Sequence, residues 1–96
     1  MTINICGIPY SVKYVDDDFN ADANHFGQVN YLTAEIVINN RASDEVKYET
    51  LCHEIVHAML VHIGRNDLTN DEVFVQSLAN AISQTFGARV LEHERI

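Results

Sequence analysis

The sequence predicts an α+β domain in which a small three- to four-stranded sheet is followed by a long helix and then by a second helix packed on it. Short β-prone runs fill the first half, a stretch with helix-capping signals opens at Ser43, and a second helical pattern follows Gly64. With 96 residues, 47% of them hydrophobic, and a single Pro, one compact domain spanning residues 1–96 is expected, large enough to fold without disulfides.

Residues 3–6 and 10–15 read as a hairpin or two neighbouring strands around Gly7-Ile8-Pro9. The polar, turn-rich stretch from Asp16 to Gly27 reads as a loop. Residues 28–31 and 34–40 read as two more strands, the second rich in Ile and Val and therefore well covered. Ser43, followed by Asp44 and Glu45, supplies an N-cap and a negatively charged first turn for a helix that runs to about Ile63, with Gly64 at its C-terminal cap. In that helix Leu51, Cys52, Ile55, Ala58 and Met59 gather on one apolar arc, and His53 and His57 fall on the opposite side. After a loop through residues 65–68, Thr69 and Glu72 have capping-box spacing. Phe74, Val75, Leu78, Ala81, Ile82 and Phe86 then line one face of a second helix ending near Gly87. Residues 88–96 extend that helix or fray from it.

A net charge of -8, with only six Lys and Arg, argues against a nucleic-acid partner, because binding a phosphate backbone requires clustered cations. The chain opens without a signal-peptide pattern and contains no run long enough to span a bilayer, so a soluble, cytoplasmic protein with no membrane partner is expected. Cys6 and Cys52 form no C-x-x-C pair and read as reduced, buried thiols.

The chemistry concentrates in His53-Glu54-Ile55-Val56-His57. Histidines at i and i+4 of a helix project side by side, so both imidazoles reach one tetrahedral Zn²⁺. Glu54 is turned about 80 degrees from the midpoint of the pair; it cannot readily be a ligand, but it can take a proton from a water beside the metal. Other residues carry weaker signals. His62 falls in the apolar arc and reads as a packed or capping histidine, and His25 and His93 read as surface residues. Cys52 points away from His53, into the apolar face. Glu49 either orients His53 or decorates an exposed face. Tyr31 and Tyr48 are candidate hydrogen-bond donors to an oxyanion.

The strand "AEIVINN", the helix "TLCHEIVHAMLVH" and the second helix "NDEVFVQSLANAI" resemble the minimal core of the gluzincins, the zincin metallopeptidases that include thermolysin. They resemble still more the short single-domain versions found in phages and mobile elements, some of which cleave repressors. The resemblance covers residues 34–86, and H-E-x-x-H is its one specific motif. It implies His53 and His57 as zinc ligands, Glu54 as catalytic base, and a strand edge near Ala34 to Ile38 that holds substrate in extended form. It also implies a third ligand, a Glu about one and a half turns into the second helix. Here that place holds Gln76, whereas Glu72, one turn earlier on the same flank, reaches the metal only if the helix slides or starts later. The resulting expectation is zinc-dependent hydrolysis of a peptide bond in a specific protein partner, in the cytoplasm, or in the host's cytoplasm for a phage protein. The alternative is a catalytically impaired domain that binds or inhibits a protein through its acidic surface, favoured by the charge of -8 and by the weak ligand strength of a neutral amide at Gln76.

Overall fold

The computed structural model describes residues 1–16 and 26–87. The chain runs β1 (Thr2–Ile5), β2 (Ile8–Val15), β3 (Gly27–Asn30), β4 (Glu35–Asn39), α1 (Asp44–His62), α2 (Asn66–Thr69) and α3 (Glu72–Phe86). The four strands form one mixed sheet in the order β1-β2-β4-β3, so the fold is the expected α+β. His25 and His93 lie outside the described residues, as does the expected tail. Among the described residues no helix is long and apolar enough to cross a membrane.

The β1-β2 hairpin turns through Cys6 and Gly7, both at positive φ (52° and 86°). These are the left-handed conformations that a two-residue turn needs to match the strand twist. Asn4 Oδ1 accepts from the Gly7 N–H at 2.8 Å and fixes the turn. Cys6 is consequently exposed, not buried as expected, while Cys52 is buried; both are free thiols. A second tight connection joins β3 to β4. Asn30 Oδ1 accepts from the N–H groups of Leu32 and Thr33, and Ala34 closes the turn at φ 56°.

The hairpin between β3 and β4 places β4 inside the sheet, parallel to β2 on one side and antiparallel to β3 on the other. The expectation of an open edge near Ala34 to Ile38 is therefore corrected. Glu35 to Ile38 are paired on both sides, and the edge beside α1 belongs to β3. Burial explains the difference, because Ile36 and Ile38 are both fully buried in the core, a covering that an edge strand beside an open cleft would lack.

Helix α1 begins where expected, with Ser43 Oγ accepting from the Val46 N–H. It ends with the Arg65 N–H returning to the Leu60 carbonyl at 2.8 Å, across Ile63 and Gly64. Two of its faces are buried, not one. Leu51 and Ala58 pack with Ile5, Tyr10, Val12, Ile36 and Ile38 against the sheet. Cys52, Val56 and Leu60 pack with Val75 and Ala79 of α3. Met59, expected in the apolar arc, is exposed, since it falls between these two contacts. Each fully buried side chain of the size of Val56 contributes about 1.5–3 kcal/mol. The α3 contact also relocates that helix's expected face: Val75, Ala79 and Ile82 turn to α1, and Phe74, Leu78, Ala81 and Phe86 are exposed.

Candidate metal centre

The start of α3 decides which carboxylate meets the histidines. Residues 66–69, expected as part of a loop and cap, form the short helix α2, and Asp71 rather than Thr69 caps α3, accepting from the Phe74 N–H at 3.0 Å. Glu72 is thereby the first residue of α3 instead of its third, and its carboxylate reaches His53 and His57 of α1.

His53 and His57 stand one turn apart on α1 with their Nε2 atoms 3.2 Å from each other. Glu72 straddles the pair: Oε2 lies 3.2 Å from His53 Nε2, and Oε1 lies 3.1 Å from His57 Nε2. Gln76, the other candidate third ligand, is one turn further along α3, and its amide oxygen meets the far nitrogen of His53, Nδ1, at 2.9 Å. The Gln76 NH₂ group donates to Asn80 Oδ1 at 2.8 Å, which fixes the amide's orientation.

This arrangement fixes protons. An amide oxygen only accepts, so the Gln76 contact places a hydrogen on His53 Nδ1, and in the neutral ring Nε2 is then the nitrogen with the lone pair. Thr69 Oγ1, 2.7 Å from His57 Nδ1, can accept from that ring in the same way. Burial pushes the His57 imidazole below its ordinary pKa, and the neighbouring His53 adds to this against the opposing pull of the Glu72 carboxylate; the neutral, ligating form is favoured. With both rings in these neutral tautomers, two imidazole lone pairs and a carboxylate face one point, with no donor among them. Such a cluster repels itself unless a cation or a shared proton lies between its members, and His53, His57 and Glu72 together could hold a metal ion.

Glu54 is the one buried charged side chain in the core among the described residues, only 7% exposed. Burial, and secondarily the Glu72 carboxylate, pushes its pKa up to about 7. Glu54 and the metal group line a cleft of about 610 Å³ between α1 and β3. Tyr31, at the end of β3, also lines the cleft. Burial raises the pKa of its phenol, opposed by a hydrogen bond with Thr69, so the group keeps its proton at neutral pH. Tyr48 does not join it, being packed with Cys52 and Val56 against α3. Glu49 lies exposed at the cleft wall, whereas the bond that orients His53 comes from Gln76, a partner that the spacing of α1 alone could not reveal. His62 is bonded to the buried Tyr10 hydroxyl at 2.5 Å, in keeping with a packed histidine.

Gly27 sets the width of the cleft on the strand side. A Cβ there would lie 2.7 Å from Thr50 Cγ2 and 3.0 Å from the Val37 carbonyl oxygen, so only glycine lets β3 come this close to α1. The pairing with β4, in which the Asn39 N–H donates to the Phe26 carbonyl, alternates along β3 and turns the N–H and C=O groups of Gly27 and Val29 outward. Among the described residues, these outward donors and acceptors on the edge facing the cleft have no backbone partner.

No protein-family model, curated protein or solved structure matches this chain.

Proposed function

We propose that the chain is a zinc-dependent peptide hydrolase that acts on an extended segment of a protein partner. The observation that carries this reading is the convergence of His53 Nε2, His57 Nε2 and the Glu72 carboxylate in the same cleft as the buried carboxyl of Glu54. The separations suit zinc. Bonds of about 2.0–2.1 Å at tetrahedral angles put ligand atoms roughly 3.3 Å apart, close to the 3.2 Å between the two Nε2 atoms and to the 3.1–3.2 Å from each Nε2 to one or the other oxygen of Glu72. Two neutral imidazoles and one carboxylate are also a donor set typical of catalytic zinc.

Zinc, when bound, supplies a Lewis acid that lowers the pKa of water and polarises a carbonyl. The chain's own groups do the rest. Glu54, with a carboxyl pKa near neutrality, accepts a proton from water in the cleft and returns it to the departing amine. Gln76 and Thr69 hold the two imidazoles in the tautomer that leaves Nε2 free. Tyr31 retains its phenolic proton and can donate to the developing oxyanion of a carbonyl. The outward N–H and C=O groups of Gly27 and Val29 pair with a substrate backbone in extended form, which holds the scissile bond beside the metal group.

Elemental analysis and a peptide-library digest read by mass spectrometry test this together. About one zinc per chain is expected, lost in His53→Ala and His57→Ala, with library cleavage by the wild type and none by a zinc-retaining Glu54→Gln variant. Metal-free chains that gain no thermal stability from zinc, or cleavage that persists in Glu54→Gln, would refute the reading.

A further inference from the structure

We propose that the cleft selects peptides with a lysine or arginine side chain next to the metal group, and that Glu49 is the carboxylate that receives it. The inference rests on the proposed function in one respect: it takes the cleft between β3 and α1 as the place where the peptide lies.

A peptide paired with the open edge of β3 turns alternate side chains toward α1. The helix surface there is the stripe Val46, Glu49, His53, at spacings of three and four residues. Beyond the metal group, toward the helix start, the cleft is walled by the apolar side chains of Phe26 and Val46, and Glu49 stands at its rim. Apolar surface from Phe26 and Val46 beside the Glu49 carboxylate matches a long basic side chain, whose methylene stem lies on apolar surface while its cation meets the charge. An aliphatic side chain would leave the carboxylate unused, and an acidic one would be repelled.

The carboxylate is available for this. Among the described residues, no hydrogen bond or ion pair holds Glu49 and no Lys or Arg lines the cleft. Other described cations are engaged elsewhere: Lys13 with Glu35, Arg65 with Asp67, and Lys47 over the Tyr14 ring. The other two carboxylates of the cleft are committed, Glu72 to the histidines and Glu54 to its buried position. A net charge of -8 steers basic segments toward the chain as a whole.

The test is a binding measurement that requires no hydrolysis. Zinc-loaded full-length Glu54→Gln protein is titrated, by fluorescence anisotropy, into octapeptide pools that hold Arg, norleucine or Glu fixed at each position in turn. At one position the Arg pool should bind roughly fivefold tighter than the norleucine pool, and the gap should shrink at high salt. Adding Glu49→Gln should abolish the gap, and adding Glu49→Lys should turn the preference toward Glu. Glu49 is exposed, so both variants are expected to fold, and unchanged zinc content checks this. Pools that bind without a basic preference, or a preference that both Glu49 variants leave intact, overturn the assignment of Glu49 while the cleft remains a peptide site. If no pool binds, the peptide cleft itself is refuted along with the inference.

Discussion

Gln76 Oε1 lies 2.9 Å from His53 Nδ1, on the side of the imidazole ring opposite the Glu72 carboxylate. The two α3 residues thus act on different nitrogens of one histidine, and substitution separates them. If the proposed zinc site is right, Glu72→Ala removes a ligand and should weaken zinc binding more than Gln76→Ala, which loses an orienting bond and should cost about 10- to 100-fold. Gln76→Glu keeps an acceptor at Nδ1 and makes the ring more basic, so affinity should hold or rise. Competition with a chromophoric chelator measures all three. Equal losses in Glu72→Ala and Gln76→Ala would contradict the division of labour.

Glu54 makes the stability of the metal-free chain depend on pH in a definite direction. Its carboxyl titrates near 4.5 when unfolded and at about 7 when folded. The folded state therefore binds more protons between these values, and stability falls as pH rises through that window. Below it Glu54 is neutral in both states and contributes no difference; above pH 7 the cost is fully present, on the order of 3 kcal/mol. Glu54→Gln removes the ionisation, so relative to wild type it should gain stability between pH 4 and pH 8. Urea unfolding of metal-free protein at the two pH values checks this, and an equal effect at both would show that Glu54 is not desolvated.

The residues that announce themselves in sequence are those whose geometry is local. The i, i+4 spacing of His53 and His57, the Ser43 cap and the Ile-Val run of β4 each follow from the period of one element. What sequence could not supply is relative placement. Whether Glu72 or Gln76 faces Nε2 depends on α3 starting at Asp71, and two caps were available, because Thr69 and Asp71 both suit that role. Tertiary demand decided between them, for the Thr69 hydroxyl is taken by His57. The edge was misplaced for a similar reason: strand runs reveal which residues are extended but not that the β3-β4 hairpin folds β3 outside β4.

Gly27 should be intolerant of even a methyl group. In Gly27→Ala the new Cβ meets Thr50 Cγ2 at 2.7 Å and the Val37 carbonyl at 3.0 Å, and strand or helix must shift. Overpacking of this kind costs about 1–3 kcal/mol. Thr50→Ser removes the closest of three obstacles, so the double variant should recover part of the loss, leaving the contacts with the Val37 carbonyl and with Ile38 Cδ1 at 3.1 Å. Chemical denaturation of the single and double variants measures the coupling. If Gly27→Ala were as stable as wild type, β3 would not approach α1 as closely as described.

Thr69 joins the metal group to the phenol on the far wall of the cleft. Its hydroxyl is 2.7 Å from His57 Nδ1, and the same side chain is a hydrogen-bond partner of Tyr31. Thr69→Val keeps the shape and deletes the oxygen, so the His57 ring loses the partner that favours the Nδ1–H tautomer and zinc affinity should fall about tenfold or more. The Tyr31 phenol simultaneously loses the bond that lowers its pKa and should titrate higher, read as the difference between ultraviolet titrations of Thr69→Val with and without Tyr31→Phe. Thr69→Ser restores the hydroxyl and should restore both properties. A purely structural role for Thr69 predicts otherwise. Stability would drop by about 1 kcal/mol in Thr69→Val, while zinc affinity and the tyrosine titration would stay where they were.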